Sequence, residues 1–335
     1  MNLARALIVR TAPLLGCLLA LAACSSSDAG ASTSAAGASG ASNSGTAGAA
    51  GQGDSSKLVG SFQVKLAAAS DLGDANTTVV GKVYDGVTPA TVVWESPQID
   101  GACTLTTPRV PFCSTTCGVS SACVEDDTCL AYPTAHGVGT VTVSGVKSTT
   151  GESTFAMTPI SNTYQVPASV TLAYPPFADG DAVTLAASGD FFPAFSLTGK
   201  GIAPLALTST ALSLKSAQAL ELAWPKAGTA KIHVKLDISH HGGSKGQIEC
   251  DADDTGSISI SGGLVTKLLN LGVAGYPTVI VTRHTTGSTV IAPGRVDLDI
   301  SSQVEQAVSI DGLTSCTSDD DCTAGQTCQN DLTCK

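Results

Sequence analysis

Beyond Lys57, apolar positions recur at every second residue far more often than at helical spacing. In residues 231–239, Ile232, Val234, Leu236 and Ile238 share one face, and Lys231, His233, Lys235 and Asp237 share the other. That pattern predicts an antiparallel strand with one buried and one wet face. Val296, Leu298 and Ile300 alternate with Arg295, Asp297 and Asp299 in the same way. Further strands are expected at 61–66, 78–84, 91–95, 140–146, 182–187, 205–214, 219–224, 248–250 and 278–283, where the chain is rich in Thr and Val. Asp85-Gly86, Asp179-Gly180, Gly242-Gly243 and Asp311-Gly312 supply turn residues that tolerate positive φ. One helix is expected, starting at an N-cap on Ser261, carrying Leu264, Leu268 and Leu271 on one face and stopping at Gly272. Many short strands with a single helix predict an all-β fold: one or more antiparallel β-sandwich domains with one short helix and a disulfide-rich C-terminal tail.

The 335 residues divide by pattern into five stretches. Residues 1–23 read as a signal peptide and 24–57 as a Ser/Ala/Gly-rich disordered tether. A smaller β domain is expected at 58–165, with a Cys-rich insertion at 103–129. A β-sandwich domain follows at 166–312, and the tail occupies 313–335. A single merged sandwich is the alternative, which a Cys103–Cys250 bond would favour. Trp94 and Trp224 follow apolar strand residues and are expected to pack in a core or against a sheet.

Composition narrows the partners. Only 13% of residues are charged and 4% are aromatic, and the formal net charge is −11. Broad attraction to nucleic acid or to anionic lipid headgroups is therefore not expected. At the front, Arg5 and Arg10 precede an apolar stretch running to Ala23, which ends in small residues and gives way at once to Ser25, Ser26, Ser27 and Asp28. This is the order of an export signal, and the stretch is shorter than the ~20 apolar residues a membrane span needs. Leu21-Ala22-Ala23-Cys24 resembles a bacterial lipobox, which makes Cys24 the expected lipid-attachment residue. Leu14-Leu15-Gly16-Cys17 has suitable residue types too, but leaves an apolar core below the usual length of roughly 7 to 15 residues.

Of the 12 cysteines, Cys17 is lost with the signal and Cys24 is consumed by lipid, so ten remain and permit five disulfides. Four form the run Cys316-x5-Cys322-x5-Cys328-x5-Cys334, and five cluster at Cys103, Cys113, Cys117, Cys123 and Cys129, with Cys250 between the groups. The tail carries almost no apolar side chains, so covalent loop closure must replace a core. Four cysteines allow three pairings. The alternating one, Cys316–Cys328 with Cys322–Cys334, is preferred because interlocked loops order a chain more than separate ones. By analogy Cys113 pairs with Cys123 and Cys117 with Cys129, which leaves Cys103 for Cys250. Zinc is the rival use of such thiols, and export favours disulfides.

Together the lipobox, the tether, the β body, the terminal cysteine run and Cys250-Asp251-Ala252-Asp253-Asp254-Thr255-Gly256 resemble bacterial lipoproteins of Gram-negative gliding soil organisms. The resemblance implies acyl chains such as palmitate on Cys24, and Ser25 after it implies sorting to the outer membrane of the cell envelope. It implies no activity.

Candidate chemistry is sparse. His240-His241 beside Asp237 is the densest polar cluster, set in a glycine-rich loop. His136, His233 and His284 show no evident partner in sequence. Gly53-Asp54-Ser55 resembles the nucleophile block of GDS-type lipases, but no apolar strand precedes it. Asp251, Asp253 and Asp254 are the best calcium candidates, since clustered carboxylates and a glycine turn suit a hard cation, yet Gly262 stands where an EF-hand needs a bidentate Glu. Asp319, Asp320 and Asp321 are weaker candidates. No cofactor other than calcium is implied. The expected function is that of a surface-tethered, non-enzymatic lipoprotein with a structural, adhesion or ligand-capture role, whose partners are the membrane, through its anchor, and an envelope protein or glycan. A carbohydrate-binding or calcium-assisted recognition module is the alternative, and a secreted hydrolase using His240 or His241 is a further one.

Overall fold

The period-two pattern builds a single long sheet onto which two different covers pack. The computed structural model describes residues 53–69, 73–209, 211–239 and 243–335. In chain order its strands are β1 (Asp54–Ala67), β2 (Asn76–Tyr84), β3 (Val93–Asp100), β4 (Cys103–Arg109), β5 (Ser121–Glu125), β6 (Thr128–Ala131), β7 (Ala135–His136), β8 (Val141–Ser144), β9 (Thr154–Met157) and β10 (Thr163–Gln165). There follow β11 (Ala182–Ala187), β12 (Phe195–Lys200), β13 (Leu212–Leu214), β14 (Leu220–Ala223), β15 (Lys231–Asp237), β16 (Gln247–Asp253) and β17 (Ser257–Ile260). Helix α1 (Gly262–Asn270), β18 (Thr278–Val290) and β19 (Gly294–Ile310) complete the body.

The long sheet runs β10-β2-β1-β19-β18-β15-β16-β4-β3, with β7 beside β2 and β13 beside β19. Most neighbours are antiparallel, but β1 and β13 each run parallel to β19. Strand alternation does not reveal this mixture, because the paired residues lie far apart in the chain. Strands from either side of residue 165 lie in this sheet, so it continues across the boundary expected there. The cores divide elsewhere. Phe62, Val64, Val296, Leu298 and Ile300 from the sheet meet Val143, Met157, Leu185 and Leu197 from a four-stranded sheet ordered β12-β11-β8-β9. Ile232, Val234, Ile248 and Val281, farther along the same face, meet Leu264, Val265 and Leu268 of α1 and Leu220, Leu222 and Ile260 of the β14–β17 pair. The chain crosses between the two cores more than once, and one crossing lies between Ile202 and Leu205.

Local chemistry sets α1. Ser261 is its N-cap, with the hydroxyl accepting from Leu264 N at 3.3 Å, and Gly272, just beyond Leu271, takes φ +94° to end it. At Gly287 the first cover approaches the long sheet closely: a Cβ there would stand 2.0 Å from the Thr198 carbonyl oxygen of β12. The expected strand 205–214 shrinks to Leu212–Leu214, because Leu205 is anchored separately, its amide donating to the Ser302 hydroxyl at 2.9 Å.

The ten described cysteines pair as Cys103–Cys250, Cys113–Cys123, Cys117–Cys129, Cys316–Cys328 and Cys322–Cys334. The first joins directly opposed residues of β4 and β16 inside the second core. The other four make two small interlocked knots, one around the β5–β6 hairpin and one in the tail. The tail is docked on the body: Ser315 Oγ donates to the Gly275 carbonyl at 2.6 Å, and Gly275 N donates to Asp331 O at 2.6 Å.

Candidate functional site

The wet face of the long sheet gathers its charge where β15, β16 and β18 run side by side. Register places His233 opposite Asp251, Lys231 opposite Asp253 on one side and His284 on the other, and Lys235 opposite Glu249. Because these side chains occupy alternate positions, all project to the side away from Ile232 and Val234. His233 Nδ1 lies 2.9 Å from Asp251 Oδ1, and Nε2 lies 3.8 Å from Glu249 Oε1. Lys231 pairs with Asp253. The hydrogen bond from His233 holds the Asp251 carboxyl below its usual range. Burial pushes the His284 pKa down, and nearby His233 adds to the effect. Lys231, Asp251, Ala252, Asp253 and His284 line an open groove of about 410 Å³.

Between β15 and β16 each basic side chain faces a carboxylate, which stabilises the sheet face through cross-strand pairs, whereas Lys231 faces the basic His284 of β18. Both nitrogens of His233 are turned to carboxylates. The three calcium candidates do not converge. Asp251 and Asp253 point into the groove, each toward its own basic neighbour, and Asp254 is buried on the other side of the sheet. There Asp254 Oδ2 accepts from Arg283 Nε at 2.8 Å and from Ala227 N at 3.2 Å, and Oδ1 accepts from Trp224 Nε1 at 2.7 Å. Arg283 is the internal cation that balances Asp254. Among the described residues, the groups of three or more His, Cys, Asp or Glu ligand atoms within 4.8 Å of one another are Cys113, Cys117, Cys129 and Cys316, Cys322, Cys334. All six are committed to disulfides.

The aspartates of the tail have a structural use. Asp321 Oδ2 accepts from Thr317 N at 2.7 Å and Ser318 N at 3.1 Å, and Asp319 Oδ1 accepts from Cys328 N at 2.7 Å. The first knot repeats the device: Asp126 Oδ1 accepts from Phe112 N at 3.0 Å and Asp127 Oδ1 from Ser114 N at 2.8 Å. In each knot carboxylates take up backbone N–H groups that strand pairing does not reach. Those bonds hold Asp126 and Asp321 below the usual carboxylate range, and the Ser114 hydroxyl, followed by its amide, does the same for Asp127.

Cys24, His240 and His241 lie outside the described residues. Asp237, expected beside the histidine pair, accepts from Ser239 N at 2.8 Å. Asp54 of the Gly53-Asp54-Ser55 block lies in β1 and accepts from Ser56 N at 3.0 Å. Trp224, just past β14, is buried, and Trp94 in β3 is half-buried. Sequence reasoning missed two arrangements. One is the Arg283–Asp254–Trp224 network, although Arg283 follows Val279 and Val281 on the inward parity and so carried a signal. The other is His136, which stacks flat on Phe191 at 3.6 Å between ring centroids. No protein family matches the chain, and no curated protein matches it in sequence.

Proposed function

We propose that this chain is a lipid-anchored protein of the cell envelope, held by acylated Cys24 on a flexible Ser/Ala/Gly tether and displaying a non-enzymatic β body for structural, adhesive or ligand-capturing work. The observation that carries the reading is the pair of disulfide knots. Each orders a segment poor in apolar side chains by covalent closure, a device suited to an oxidising space outside the cytoplasm. The export-type N-terminus supplies the route to that space, and two or more acyl chains are what stable membrane retention requires.

A clickable fatty acid fed to cells making the full chain tests the anchor. Incorporation into the native chain and into Cys17→Ala, with loss in Cys24→Ala and release of that variant from the membrane fraction, supports it. Absence of label from the native chain, or label that persists in Cys24→Ala, overturns it.

A further inference from the structure

Phe191 and Phe192 are adjacent in the turn between β11 and β12, and they part company there. Phe192 enters the first core, 4% exposed, and Phe191 is 58% exposed. A large apolar ring in water is unfavourable, yet this one is held firmly. It lies on His136 with the ring planes within 9°, and Phe192 braces it edge-on at 4.9 Å. His136 is itself fixed. Its Nε2 lies 3.1 Å from Asp85 Oδ2, and Asp85 Oδ1 accepts from Thr134 N at 2.7 Å. One face of Phe191 is covered by this stack, and its exposure lies on the other.

Polar acceptors stand beside the stack. A Cβ added to Gly137, next to His136, would meet Asp190 Oδ2 at 2.8 Å and Asn162 Oδ1 at 3.7 Å, so both oxygens flank the same backbone position. The Asp190 carboxylate makes no hydrogen bond to a described residue. Asn162 donates through Nδ2 to the Ala135 carbonyl at 2.8 Å, which fixes the amide and turns its oxygen toward Gly137.

A preordered aromatic face with a carboxylate and an amide oxygen at its border matches the two surfaces of a pyranose. The axial C–H face is apolar and stacks on a ring, and the equatorial hydroxyls donate to acceptors. Asp190 and Asp85 both disfavour an anionic ligand at this position. We propose that Phe191, Asp190 and Asn162 form a binding subsite for a neutral saccharide. Its fixed platform lowers the ordering cost of capture. This inference does not rest on the lipid anchor, because binding is read on purified protein whether or not Cys24 is acylated.

The test is an array of neutral oligosaccharides probed with the full chain in a non-glycosidic detergent, followed by calorimetric titration of any sugar retained. The native chain binds at least one neutral oligosaccharide. Phe191→Ala weakens that binding by about tenfold or more, Phe191→Trp keeps it, and Asp190→Asn weakens it by roughly threefold or more. The thermal melt of Phe191→Ala stays close to native because the ring is exposed, so loss of binding is not loss of fold. No binding across the array at millimolar sugar, or equal binding by the native chain and Phe191→Ala, overturns the proposal.

Discussion

Arg283 Nε meets Asp254 Oδ2 at 2.8 Å on the seam between the two cores, with the residues 1% and 4% exposed. Arg283 pairs with Ser302 in the β18–β19 register, on the inward face between Ile300 of the first core and Val304 beside the second. Its Nη1 donates to the carbonyls of Ala203 at 3.2 Å and Pro204 at 3.1 Å, and its Nη2 to that of Pro225 at 2.6 Å. The guanidinium therefore pins one of the segments in which the chain crosses between the cores, the one from Ile202 to Leu205. A charge so placed needs all its partners, since desolvation costs several kcal/mol per ion.

Removing one partner leaves the other charged and buried. Arg283→Met and Asp254→Leu are each expected to lower stability by about 3–5 kcal/mol. The double variant should cost less than the two single losses added together, because neither charge is then orphaned. Urea unfolding of the three variants measures the coupling, and strictly additive losses would contradict the pairing.

Gly287→Ala is expected to destabilise by about 1–3 kcal/mol, as overpacking does. The new methyl would stand 2.0 Å from the Thr198 carbonyl, which belongs to backbone and cannot rotate away. Gly312→Ala provides a contrast, since open space surrounds that position and only its φ of +79° resists the change. Melting temperatures should rank Gly287→Ala as the more damaging substitution.

The bond between Cys103 and Cys250 closes a loop with a sequence separation of 147. Cys103→Ala with Cys250→Ala is expected to cost about 2–5 kcal/mol, mainly by freeing the unfolded chain. Removing the tail pair Cys322 and Cys334 should instead loosen the tail and leave the far-ultraviolet signal of the sheets in place. Hydrogen exchange mapped along the chain distinguishes the two effects.

His284 imposes a pH dependence. Burial holds its folded pKa below the ordinary 6.5, so the unfolded chain takes up the proton first as pH falls. Its contribution to stability is intact above about 6.5 and declines as pH drops through that value toward the folded pKa. His284→Gln should flatten the loss of stability between pH 7 and pH 5. Asp251, held low by His233, acts in the same direction at more acid pH, and its contribution is lost as pH falls through its folded pKa. Chemical denaturation across the pH range in native and variant protein checks the sign.

Much of the secondary structure was legible before the fold was known, because alternation and capping are local. Lys231 to Asp237, Arg295 to Ile300 and Ser261 at the start of α1 are set by which side chains prefer water and which hydroxyl satisfies an end amide. The cysteine spacing likewise marked two segments that need covalent closure. Tertiary structure alone decided the rest. The parallel pairing of β1 with β19 joins residues more than two hundred positions apart, which no local period encodes. Asp254 continues the inward parity of Ile248 and Cys250, but only the fold sets Arg283 against it, so an apparent acidic cluster became one internal ion pair and two surface ones. Phe191 and His136 came together for the same reason: a contact across 55 residues depends on how loops land on a sheet, and a sequence records the preferences of neighbours, not the places where distant chain meets.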